Sequence, residues 1–134
     1  MPVSPLAILH NAFHANGGSG ISVGSSVSGL DVRNNVFSTN GAWGILATGA
    51  AAFSAFEPNG FHANGAGALS FATPGPANVI GDPRWIDASS GTFRLRNDSP
   101  CPNRGVDTGL DVNGALPGRF NAAAPDHGAH ETAY

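Results

Sequence analysis

One segment recurs three times at a fixed interval, and that interval limits the possible folds more than any other feature. Residues 10–21 read HNAFHANGGSGI, residues 35–45 read NVFSTNGAWGI, and residues 59–69 read NGFHANGAGAL. Aligned at a spacing of 24 residues, Asn11, Asn35 and Asn59 form one column, and Phe13, Phe37 and Phe61 form a second. Asn16, Asn40 and Asn64 form a third, each followed by glycine, and Ile21, Ile45 and Leu69 close the segment. A gapless period of this length, with matching amide, aromatic and glycine columns, marks a chain built by stacking equivalent units.

The local pattern within each unit is that of short strands. Ile8, Val32 and Phe56 are apolar, with Ala7, Asp31 and Ala55 before them and Leu9, Arg33 and Glu57 after them. This is the period-2 alternation of a strand with one face turned inward. A second family of strands is expected at 20–23, 44–47 and 68–71, and a third extended piece around each Phe of the aromatic column. No part of the period is long enough for a crossover helix. Equivalent strands stacked at about 4.8 Å predict an all-β chain, a parallel β-helix (solenoid) of about three 24-residue coils. In such a stack the two Asn columns become hydrogen-bonded ladders and the Phe column lies inside.

Composition narrows the partners. The net charge is −3, there is no lysine, and the six arginines are scattered, so the basic footprint of a nucleic-acid binder is missing. Charged residues make up 11%, against 19 glycines and 10 prolines, which suits a turn-rich β protein. The single cysteine, Cys101, cannot form an internal disulfide and is expected to be a buried thiol. Residues 1–13 lack the basic region and long apolar run of a signal peptide, and no segment is apolar enough to span a membrane. Prolines at positions 2 and 5 break regular structure at the start.

The N-x-F-x-x-N-G-x-x-G-I units resemble the coils of secreted, pectate-lyase-like right-handed parallel β-helix proteins. The segments NVIGDPRWID (78–87), TFRLRNDSP (92–100) and DHGAHE (126–131) resemble, in that order, the closing segments that follow the last coil in that family. Gly105, Asp111, Gly114 and Arg119 fit the same pattern. The chain departs from it at residues 101–104 and at His130. The resemblance implies a right-handed β-helix with three coils over 1–71 and an irregular C-terminal cap over 72–134. It implies an extracellular or cell-surface setting. The expected cap folds over the last coil. The end near Leu6 carries no equivalent, so it is expected to be bare, paired with another chain, or continuous with further coils of a longer β-helix.

Three constellations are candidates for chemistry. Asp31, Arg33 and Glu57 fall on one outer strand face, where a lyase needs a base and a cation and a hydrolase needs two carboxyls. His14, Ser38 and His62 occupy equivalent positions, but the histidines stand about 9–10 Å apart over two rungs, too far to share a metal. Asp126, His127, His130 and Glu131 have zinc- or copper-like spacing, and Asp111 to Gly114 faintly resembles a calcium loop. No nucleophile elbow, phosphate loop or dinucleotide fingerprint is present. The first expectation is a non-catalytic, carbohydrate-associated unit that binds a polysaccharide or another protein chain. The rival is a uronate lyase or glycosidase acting through Asp31, Arg33 and Glu57. A third reading is self-assembly through the open end.

Overall fold

A computed structural model describes residues 6–133, so the reading of the two N-terminal prolines lies outside the described residues. Within them the chain forms short strands: β1 (Ala7–Leu9), β2 (Ala12–His14), β3 (Ile21–Val23), β4 (Leu30–Arg33), β5 (Val36–Ser38) and β6 (Trp43–Ala47). They continue as β7 (Phe53–Ala55), β8 (Gly60–His62), β9 (Gly67–Leu69), β10 (Val79–Ile80), β11 (Trp85–Asp87) and β12 (Thr92–Leu95). Two 3₁₀ turns, Ala50–Ala52 and Ala88–Ser90, are the helical elements among the described residues.

Three sheets are parallel, in the orders β1-β4-β7, β2-β5-β8-β10 and β3-β6-β9. Ile8 pairs with Val32, Phe13 with Phe37 and then Phe61, and Ile21 with Ile45 and then Leu69. The chain turns from sheet to sheet through left-handed residues. His10 and Asn34 (φ 55° and 61°) sit between the first and second sheets. Ala15, Thr39 and Ala63 (φ 55°, 52° and 51°) sit between the second and third. Such backbone costs a non-glycine residue roughly 1–2 kcal/mol. The ladder asparagines follow these corners directly and hold each one to the next rung.

The core lies between the three parallel sheets. Val32, Phe37 and Ile45 are fully buried there, packed with Leu30, Phe61 and Leu69. The aromatic column stacks nearly flat, with ring centroids 4.8 Å apart for Phe13–Phe37 and 5.3 Å for Phe37–Phe61. Glycine makes this stacking possible. A Cβ on Gly20 would lie 2.7 Å from the Phe37 ring, and one on Gly44 would lie 2.8 Å from the Phe61 ring.

The expectation of a regular right-handed parallel β-helix, with about three 24-residue coils and an irregular cap, is corrected by this topology. The strands form small parallel sheets and one antiparallel pair, not a continuous solenoid, although the parallel sheets are compatible with a β-helix-like stack. The period fails for identifiable reasons. The 3₁₀ turn at Ala50–Ala52 shifts the third unit, so that Leu30 pairs with Phe53 while Asp31 pairs with Ala55. Prolines 74 and 76, which lack an N–H to give to a ladder, stand where a fourth unit would begin. Only Val79 and Ile80 extend the second sheet, and the chain then reverses into the antiparallel pair β11-β12.

The C-terminal segment also departs from an end cap. It runs along the outer face of β2-β5-β8. Val36, which points away from the Phe column, is buried with Val79, Leu95 and Cys101 against Trp85 in a second apolar cluster. Trp85 Nε1 donates to Ser38 Oγ at 3.3 Å, and Phe93 packs against the His14 ring at 5.5 Å. Asn34 anchors the segment: its Nδ2 donates to the Val106 carbonyl (2.7 Å), its Oδ1 accepts from Val106 N (2.9 Å), and its carbonyl accepts from Gly128 N (2.7 Å).

Candidate functional site

Four of the buried polar side chains, Asn35, Asn40, Asn59 and Asn78, belong to the two asparagine columns. Asn35 Oδ1 accepts from the backbone N (2.9 Å) and Nδ2 (3.2 Å) of Asn11, and Asn59 Oδ1 accepts from the same two atoms of Asn35 (2.9 and 3.1 Å). Asn78 Oδ1 continues the column by accepting from Asn59 N at 2.8 Å. Asn40 and Asn64 repeat this beneath Asn16 and Asn40. Each inner amide also donates backward to a carbonyl one rung away: Asn35 to Ile8, Asn59 to Val32, Asn40 to Phe13 and Asn64 to Phe37.

Asp31 and Arg33 are brought together on β4, where they form a two-point ion pair. Arg33 Nε lies 2.6 Å from Asp31 Oδ1, and Arg33 NH2 lies 2.7 Å from Oδ2. These hydrogen bonds to Asp31 raise the Arg33 guanidinium above its ordinary range. Glu57 is directed elsewhere: its Oε1 accepts from Gly75 N at 2.8 Å, so the carboxylate ties the 72–78 turn to the stack. His14 Nδ1 lies 2.8 Å from Ser38 Oγ and 3.1 Å from Thr39 Oγ1, which bonds the first two rungs of this column.

In the terminal motif both carboxylates bind backbone amides. Asp126 accepts from Asn103 N (2.7 Å) and Thr132 N (2.6 Å), and Glu131 accepts from Asn121 N (3.0 Å) and Asp126 N (2.9 Å). The tail has few ladder bonds, so carboxylates take the place of strand partners for its amides. Burial raises the Glu131 carboxyl above its usual value. His130 is exposed while His127 is fully buried, so the two histidines of the motif part company. Asp111 Oδ1 accepts from Asn113 N at 3.0 Å within its own turn. Among the described residues no three His, Cys, Asp or Glu side chains are grouped so as to hold a metal.

The complete burial of His127 is the feature that the spacing did not announce. Neither ring nitrogen makes a hydrogen bond of ordinary geometry. Burial lowers its pKa to about 4; the nearby Arg104 carbonyl offsets part of that, while the charges of Arg104 and His10 add to it. His10, the residue before the first ladder amide, is lowered in the same direction by burial, against the opposing influence of Asp126. Its Nε2 meets Thr108 Oγ1 (3.2 Å) and Asn34 Nδ2 (3.1 Å). Cys101 is buried beside the same corner, and burial pushes its thiol up to about 11, which keeps it protonated and poorly nucleophilic. An open cavity of about 660 Å³ lies farther along the tail, between Ile86, Arg94, Asn113, Leu116 and His130.

No helix among the described residues is long and apolar enough to cross a membrane. No family model, curated protein or solved structure matches the chain.

Proposed function

We propose that this chain is a non-catalytic structural and binding unit, associated with carbohydrate or with another polypeptide, in which polar side chains serve the fold. The observation that carries this reading is the commitment of the candidate carboxylates. Asp31 is held by Arg33, Glu57 by the Gly75 amide, Asp126 by the Asn103 and Thr132 amides, and Glu131 by the Asn121 and Asp126 amides. A general base must reach the substrate proton with a free lone pair at working pH, and a general acid must hold a proton there. Carboxylates already fixed by two-point bonds or by backbone amides are poorly placed for either task.

The test is incubation of the purified chain with neutral and uronate-containing polysaccharides, with and without calcium, followed by mass spectrometry of the products. Neither unsaturated nor saturated oligosaccharides are expected. Products that disappear in an Arg33→Ala variant would establish the rival enzymatic reading.

A further inference from the structure

The C-terminal segment lies on the stack as a strap, and its docking rests on a different chemistry from the stack beneath it. The core of the three parallel sheets is built from Val32, Phe37, Ile45 and their apolar neighbours, none of which can take up a proton. Residues 101–132 hold on by other means. Val106, Leu110 and Leu116 are exposed, and the continuous buried run of the segment is Pro125, Asp126, His127 and Gly128. Its hydrogen bonds to the stack meet at one corner. Asn34 pairs with Val106 in both directions and accepts from Gly128 N (2.7 Å), and His10 Nε2 meets Thr108 Oγ1 (3.2 Å).

His127 sits in this seam. It is fully buried, and neither ring nitrogen has a hydrogen-bond partner. A Cβ on Gly60 would lie 3.5 Å from Cys101 Sγ and 3.6 Å from His127 Nδ1, and one on Gly128 would lie 3.5 Å from the Val36 side chain. The buried run is therefore pressed against the outer face of β5 and β8. Among the described residues the charges that act on His127 are those of Arg104 and His10, and both can only add positive charge. The carboxylates of Asp126 and Glu131 are bound to backbone amides. Asp82 and the protonated Cys101 thiol are the remaining titratable groups at the seam. An imidazolium formed here gains no partner.

We propose that residues 101–132 are an acid-released strap: on protonation of His127 they leave the outer face of β2-β5-β8 as a unit and uncover Cys101, while the three parallel sheets stay folded. Released, the imidazole takes its proton in water; docked, it stays neutral. The strap is therefore held at neutral pH, and release sets in as pH falls from the ordinary histidine range toward about 4, the value burial imposes on His127. His10, shifted the same way by burial, places a second charge on the stack side of the seam. Glu131, shifted upward, offsets part of the effect. A segment with few buried apolar side chains opens separately from a packed core.

Two measurements on the whole chain test this. Hydrogen exchange read by NMR at pH 7 and pH 4, corrected for the intrinsic rate at each, follows the amides of Val106 and Gly128 in the strap and of Asn35 and Asn59 in the ladder. At pH 4 the strap amides are expected to lose at least about tenfold in protection relative to the ladder amides. Labelling of Cys101 by a dipyridyl disulfide, which reacts with thiols even in acid, gives the second reading. Its rate in the folded chain, divided by that in the urea-unfolded chain at the same pH, is expected to rise at least about tenfold from pH 7 to pH 4. In a His127→Phe variant it is expected to stay flat. The exchange experiment uses the parent alone, so it decides the matter even where the variant does not fold. Strap amides that stay protected at pH 4, ladder amides that open together with them, or a Phe variant whose labelling rises as in the parent would each overturn the proposal.

Discussion

Replacing Asn59 with alanine is expected to cost about 4 kcal/mol or more, while the same change at Asn11 costs under about 1 kcal/mol. The two residues share a column and a chemistry but not an environment. Asn59 is fully buried, donates to the Val32 (2.9 Å) and Phe56 (2.8 Å) carbonyls, and accepts from two nitrogens of Asn35. Truncation strands four buried polar groups, and each costs more when left unmade than it contributed when made. Asn11 is exposed, and water replaces what its side chain loses. A domain of this size holds about 5–15 kcal/mol in total, so Asn59→Ala approaches unfolding at room temperature. Urea denaturation of both variants measures the difference. Equal midpoints would remove the ladder from the energetics of the fold.

The second large effect is acid sensitivity from His127. Its ordinary pKa of 6.5 falls to about 4 in the folded chain, chiefly through burial. The unfolded chain therefore takes up a proton near pH 6.5 that the folded chain refuses until near pH 4. Stability is unaffected above that window and declines as pH falls through it, by about 3 kcal/mol in all. His10 is shifted in the same direction and adds to the loss. Glu131 is shifted upward, which gives a slope of opposite sign and offsets part of it. A His127→Phe variant keeps a ring in the pocket beside Cys101, Val36 and Gly60 but has no proton to bind. Its stability is expected to fall far less between pH 7 and pH 4 than that of the parent. Parallel curves for the two proteins would contradict the assignment.

Both effects show how unevenly the structure was written into the sequence. The spacing of the Asn and Phe columns is also the spacing of the hydrogen bonds and ring stacks, because a rung pairs with its neighbour residue for residue. That correspondence weakens once Ala50–Ala52 and the prolines at 74 and 76 interrupt the unit, and a uniform three-coil solenoid was therefore too regular an expectation. The lateral course of the tail had a faint signal. Ala12, Val36 and Gly60 alternate with the phenylalanines yet are not polar, as expected of an outer face that is covered. What covers it was not legible, since Val106 meets Asn34 and Thr108 meets His10 across separations of 72 and 98 residues, with no local pattern. The terminal Asp, His and Glu had the spacing of metal ligands. The structure instead gives the carboxylates to backbone amides, because a turn-rich tail has few other partners for its N–H groups.

Native-state hydrogen exchange at the backbone amides of Asn35 and Asn59 tests most directly whether the amide ladders organise the fold. Each N–H points at the side-chain oxygen of the next rung, Asn59 Oδ1 and Asn78 Oδ1. If the ladders hold the stack together, both amides exchange only through global unfolding, with the free energy that urea denaturation gives. Exchange at the rate of an exposed loop, while the strand amides on either side stay protected, would show that the stack stands without them.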